Sequence, residues 1–113
     1  MHELRLCESL VRCVETEARR LRCNRIHRVH VAVGALSCAS PEALAFCYGA
    51  VTRGTLAEGS ELSIRRVAAT GRCITCGAEG PMDSRASPCS RCGGFGLVPL
   101  HGEELTLEEL EIE

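Results

Sequence analysis

Four cysteines stand in two pairs late in the chain, within "CITCGAEGPMDSRASPCSRCGG". Cys73 and Cys76 form one C-x-x-C, and Cys89 and Cys92 form a second, with twelve residues between the pairs. A C-x-x-C on a tight turn points two sulfurs at one ion, and two such pairs complete the tetrahedral thiolate shell that zinc prefers. Gly77 and Gly93 directly follow the pairs. There they permit the left-handed turn that lets backbone N–H groups bond to sulfur. The pattern predicts a zinc ribbon with a closed, structural Zn(II). A rubredoxin-like iron site uses similar ligands, but its usual aromatic packing is missing apart from Phe95. A redox C-x-x-C opens a helix after a strand, which this segment does not suggest.

The other end of the chain offers a second ligand set. The sequence opens "MHEL". A residue as large as His2 discourages removal of the initiator methionine, so the Met1 amine stays at a fixed place beside it. The amine, the backbone nitrogen and the imidazole of His2 can chelate one ion in fused rings. The backbone nitrogen of Glu3 could supply a fourth position. Deprotonated amides in a plane suit Ni(II) or Cu(II) and not zinc. An isolated His2 would otherwise be an ordinary solvated terminal residue.

The elements that must hold these groups follow from periodicity. From Leu4 to Arg22 apolar residues recur at helical spacing through Cys7, Leu10, Val11, Val14, Ala18 and Leu21, with charges opposite. "RVHVAV" at 28–33 alternates as a half-buried strand, ended by Gly34. Over 40–54 the sequence predicts a second helix. Ser40 is its cap, Pro41 its first residue and Gly54 its left-handed stop, and Leu44, Cys47, Tyr48 and Val51 face inward. "ELSIRRV" at 61–67 reads as a second strand. Residues 72–100 carry little apolar periodicity. "ELTLEELEIE" at 104–113 alternates with a phase slip near Glu108–Glu109, which implies a bulge or two short strands. The expected fold is α+β, two helices packed on a small three-stranded sheet with an inserted zinc ribbon. Residues 1–70 plus 102–113 form the first domain and 71–101 the second.

Composition narrows the function. At 113 residues with 45% apolar but only 3% aromatic residues, an aliphatic core is possible with little margin, and a structural metal is a common remedy. A net charge of −2 gives no overall pull toward nucleic acid or membrane. All thirteen basic residues are arginine, which reads as compositional bias. The arginines of 12–28 and the glutamates of 103–113 read as solvated faces that meet on folding, or as surfaces that steer partners. No stretch reads as a signal peptide or a membrane span. Nine cysteines without an export signal suggest a reducing, cytoplasmic setting. No G-x-S-x-G, HExxH or P-loop is present, so nucleotide hydrolysis would have to come from a partner.

"MHEL", "VGALSCASPEALAFCY", "GTLAEGSELSI", the paired C-x-x-C and "GEELTLEELEIE" occur in this order over essentially the whole chain. In this the sequence resembles the HypA/HybF family of nickel metallochaperones in [NiFe]-hydrogenase maturation. The resemblance implies nickel bound at His2 with neighbouring backbone, structural zinc at Cys73, Cys76, Cys89 and Cys92, and no catalytic role. It also implies delivery to the hydrogenase large subunit with a pathway GTPase. The expected state is a monomer or weak homodimer. Ser90 departs from the proline that members often carry there. Nothing carries over to His27, His30 or His101, which read as surface or pairing residues. Cys7 and Cys47 read as buried small hydrophobes, and Cys23 and Cys38 as residues near turns. The alternative is a zinc-ribbon module that binds protein or nucleic acid and has no nickel role. The lack of an arginine stripe or aromatic stacking set weighs against nucleic acid. A metalloenzyme ranks last, because four thiolates leave no open position.

Overall fold

A computed structural model describes residues 2–113. The elements in chain order are α1 (His2–Arg20), β1 (Ile26–Gly34), α2 (Pro41–Val51), β2 (Glu61–Val67), β3 (Thr70–Cys73), β4 (Glu79–Pro81), β5 (Leu97–His101) and β6 (Leu105–Ile112). They form two three-stranded sheets, β2-β1-β6 and β4-β3-β5. The chain divides into two compact units. One comprises residues 1–32, 39–65 and 106–113, and the other 33–38 and 66–105.

In the first unit, two helices pack on the β2-β1-β6 sheet. The helical repeat of α1 puts Cys7, Leu10, Val11, Val14 and Ala18 on one buried stripe. Ile26, Val29 and Val31 of β1 and Leu44 and Tyr48 of α2 complete this aliphatic core. The buried Tyr48 keeps its hydroxyl 2.6 Å from the Ser60 Oγ, and among the described residues no buried side-chain nitrogen or oxygen lacks a hydrogen-bond partner. Backbone bonds from Asn24 N–H to the Glu113 carbonyl and from Glu113 N–H to the Arg25 carbonyl fasten the end of β6 to the start of β1. A single strand runs through Glu108–Glu109, so two short strands are excluded. Half-burial passes there from Leu105 and Leu107 to Leu110, the slip seen in the sequence.

Helix ends depart from the expected ones. The first helix stops at Arg20, not Arg22. Arg22 takes φ 55°, Cys23 N–H bonds the Ala18 carbonyl and Arg22 N–H bonds the Arg19 carbonyl. This is a Schellman closure made with arginine where glycine is usual. The second helix begins as expected, with the Ser40 Oγ accepting from Ala43 N–H at 3.3 Å. It ends earlier than expected, at Val51. Thr52 N–H and Oγ1 both donate to the Tyr48 carbonyl and close it, so Gly54 (φ 78°) serves the following turn instead.

The second unit contains strands that periodicity did not reveal. Arg72 pairs with Glu79 of β4 and Val98 of β5, and Cys73 pairs with Leu97. These strands of three to five residues hold Gly71, Gly80 and Pro99, so no alternation marks them. Met82 covers Gly71, where a Cβ would meet its Sδ at 2.5 Å. Three segments cross closely in this unit. Gly34 N–H donates to the Glu104 carbonyl at 2.7 Å, and Leu36 N–H to the Gly102 carbonyl at 2.6 Å. A Cβ on Gly34 would lie 2.0 Å from the Gly102 carbonyl oxygen, and one on Gly102 (φ 113°) would lie 2.7 Å from the Ala69 Cα. Backbone obstructs both, so side-chain rotation gives no relief. Gly34→Ala should therefore cost about 3 kcal/mol, at the upper end of overpacking effects. Urea denaturation checks this, with Gly49→Ala as the control because nothing lies within 4 Å of a Cβ there.

Candidate metal centre

Sγ atoms of Cys73, Cys76, Cys89 and Cys92 all lie within 4.8 Å of one another. The Cys73–Cys92 and Cys76–Cys89 sulfur pairs are each 3.6 Å apart. An ion about 2.3 Å from each sulfur in a tetrahedron would set neighbouring sulfurs about 3.8 Å apart. The cluster already has the size of a tetrahedral thiolate shell. Among the described residues no other group of three or more histidines, cysteines and carboxylates converges in this way.

Two matching turns build it. In each, the first cysteine's N–H donates to the carbonyl five residues on, Cys73 to Ala78 and Cys89 to Gly94. Its carbonyl accepts from the glycine four residues on, Gly77 or Gly93, at 2.9 Å. Those glycines have φ 75° and 77°, as the knuckle geometry requires. Backbone N–H groups then aim at sulfur. Thr75 donates to Cys73, Arg91 to Cys89 and Gly94 to Cys92, each at 3.4 Å. Ser90 leaves the second turn matched to the first. Cys73 and Cys89 are buried and Cys76 and Cys92 are exposed.

The electrostatics follow from this geometry. The N–H groups of Cys76 and Thr75 pull the Cys73 thiol down to about 6. The N–H groups of Cys92 and Arg91 lower that of Cys89. For Cys92 the Gly94 N–H pulls down, but the Cys73 sulfur, desolvation and the other two sulfurs together push it up to about 11. Several thiolates cannot share this volume without a cation among them. A divalent ion held by the four sulfurs would remove that conflict and displace the remaining protons.

At the other end, His2 and Glu3 lie in the first turn of α1, His2 exposed and Glu3 half-buried. Met1, whose amine the expected chelate requires, lies outside the described residues. The remaining histidines are paired with carboxylates: His27 with Glu113 at 3.2 Å, His30 with Glu111, and His101 with Glu104 at 3.7 Å. Arg28 reaches Glu111 and Glu61, and Arg65 reaches Glu108, so arginines do meet the acidic tail. Arg19 and Arg20 pair instead with Glu15 and Glu17 along α1. Cys7 is buried and Cys47 half-buried, while Cys13 and Cys38 are exposed.

Two helices on a three-stranded sheet, joined in one chain to a four-cysteine knuckle pair, define a small α+β metal-binding protein. A family model described as hydrogenase/urease nickel incorporation, metallochaperone HypA, matches residues 1–112. The chain belongs to this HypA family. It is 40% identical to the hydrogenase maturation factor HypA of Rhodopseudomonas palustris (strain BisB5) and 42% identical to that of Methylocella silvestris. Both alignments cover 113 residues, all of each chain. The solution structure of the Ni metallochaperone HypA from Helicobacter pylori shares the fold with a TM-score of 0.73 at 20% identity, over 97% of this chain and 96% of that one. No helix of the described residues is long and apolar enough to cross a membrane.

Metal loading should release protons, more at pH 6 than at pH 8, because more thiols are protonated at the lower pH. Apparent affinity should therefore rise with pH. Calorimetry in buffers of different ionisation enthalpy measures both. Cys73→Ala should abolish stoichiometric loading and remove hydrogen-exchange protection from residues 70–101. Retained loading in that variant would contradict a four-thiolate site.

Proposed function

We propose that this protein binds Ni(II) at its N-terminus and delivers it for [NiFe]-hydrogenase maturation, while Zn(II) at Cys73, Cys76, Cys89 and Cys92 plays a structural part. The match to HypA relatives over the full chain, beginning with "MHEL", carries this reading. Nickel is bound by the His2 imidazole with the backbone nitrogens of His2 and Glu3 and the Met1 amine. Exposure of His2 supports this. So does the place of these amides in the first helical turn, where N–H groups have no intrahelical acceptor to lose. Deprotonating them sacrifices no helix hydrogen bond.

The zinc assignment rests on donor chemistry. Four thiolates in a closed tetrahedral set match Zn(II) and give it no open position. Planar amide and imidazole donors match Ni(II) and disfavour zinc. Residues 1–70 with 102–113 are then the nickel-binding domain, and 71–101 the zinc ribbon. The protein is a carrier and not an enzyme. Its partners are the hydrogenase large subunit and the pathway GTPase that supplies nucleotide hydrolysis. It acts in the cytoplasm as a monomer or weak homodimer.

Nickel titration of untagged, zinc-loaded protein tests the reading. One Ni(II) per chain with a square-planar, diamagnetic spectrum is expected. His2→Ala should lower the affinity at least about 100-fold, the upper range for disturbing a metal's ligand environment. Zinc content and melting temperature should stay unchanged. One extra residue before Met1 should have the same effect, because it moves the amine. Unaltered nickel affinity in His2→Ala would refute the terminal site.

A further inference from the structure

The packing of α1 on α2 brings together two cysteines that the metal sites do not use. Cys7 is fully buried, and its thiol lies 3.9 Å from the Leu44 carbonyl oxygen. In an α-helix the carbonyl of one residue lies beside the side chains three and four positions on, so the Cys7 sulfur meets the turn of α2 that bears Cys47. Cys47 is half-buried and lines a groove of about 550 Å³ with Glu3 and Leu4 of α1 and Ala43 and Phe46 of α2. Glu3 stands one turn before Cys7 on α1. Both sulfurs therefore approach the same stretch of the helix–helix seam. One is sealed inside it, and the other is reached from the groove.

We propose that Cys7 and Cys47 form a hydroperoxide-responsive thiol pair that closes to a disulfide between α1 and α2. Burial first, then the neighbouring Cys47 and Glu8, pushes the Cys7 thiol up to about 11, so Cys7 is a poor first nucleophile. Cys47, open to the groove, reacts first. Its thiolate attacks one peroxide oxygen, the O–O bond breaks, and Cys47 becomes a sulfenic acid while the other oxygen leaves as an alcohol or water. Cys7 then gives up its proton and attacks the Cys47 sulfur. An S–S bond forms, and the sulfenic oxygen leaves as water. Two thiols lose two electrons and the hydroperoxide gains them. Reduction by a dithiol restores the pair. The bond would fasten the second turn of α1, directly after Glu3, but its formation does not depend on nickel binding.

The test uses the zinc-loaded full chain carrying Cys38→Ser. Trypsin then cuts after Arg5, Arg12, Arg28 and Arg53 and isolates Cys7 in residues 6–12 and Cys47 in residues 29–53. After equimolar hydrogen peroxide and alkylation of free thiols, mass spectrometry should find these two peptides joined with loss of two hydrogens. Cross-linking should be at least about tenfold faster in folded than in urea-unfolded protein, because the fold holds the sulfurs together. Adding Cys47→Ser should remove the cross-link and leave Cys7 free to be alkylated on unfolding. Three results would overturn the proposal: an over-oxidised Cys47 beside an alkylated Cys7, a bond from Cys47 to another cysteine, or equal rates in folded and unfolded chains. Because the readout identifies peptides, oxidation of the ribbon thiols does not mimic it.

Discussion

Four sulfurs in a volume less than 5 Å across set the electrostatic condition on which the second unit depends. Without a cation, the thiols must divide into ionised and protonated partners, as the opposite displacements of Cys73 and Cys92 record. Few other groups in the unit supply cohesion. Its buried apolar side chains apart from the cysteines are short or few, namely Val33, Ala69 and Met82. Its strands are three to five residues long. A core of that size rarely folds alone, and a structural zinc ion bound there would contribute about 10–16 kcal/mol. The backbone is organised around the four sulfurs: turn glycines, N–H groups aimed at sulfur, and a ladder that begins at Cys73.

The first unit rests on a different balance. It has an aliphatic core from α1, β1 and α2, and several of its surface charges are paired. β6 is an edge strand, and edges invite pairing with other chains. Its glutamates prevent an apolar edge: Glu108 is held by Arg65 and Glu111 by His30 and Arg28, while Glu113, just past the strand, is held by His27. Such exposed pairs contribute little stability individually. Their effect is orientation: they hold the last strand in register, while the Asn24–Glu113 and Glu113–Arg25 backbone bonds secure its end.

What the sequence revealed, and what it concealed, follows from the range of each interaction. The cysteine pairs were legible because ligand spacing is local and the following glycines fix the turn. Helix α1, strand β1 and the cap at Ser40 were legible because burial imprints a period and capping uses nearest neighbours. Strands β3, β4 and β5 were not, since their order comes from pairing between residues up to 31 positions apart, and Gly71, Gly80 and Pro99 leave no alternation. Helix ends were misplaced where an unusual residue does the work. Arg22 occupies a glycine conformation, and Thr52 caps with its own hydroxyl before Gly54 is reached. The crossing of Gly34 past Gly102 is a non-local contact, and each glycine alone reads as an ordinary turn residue.

The two proposed metal sites of this short chain differ in donor type. A closed set of four thiolates from two hydrogen-bonded turns would give up an ion reluctantly, because departure breaks all four bonds and leaves the sulfurs crowded. A terminal chelate of the proposed kind has no such penalty. Its amide nitrogens would regain protons when the ion leaves, and without metal the first turn of α1 is helical. Release therefore costs no tertiary contact in the core stripe, which begins only at Cys7. A carrier must hold its cargo through bonds whose loss leaves the fold unchanged. The first turn of α1, as the proposed nickel site, would meet that condition, and the four-cysteine cluster would not.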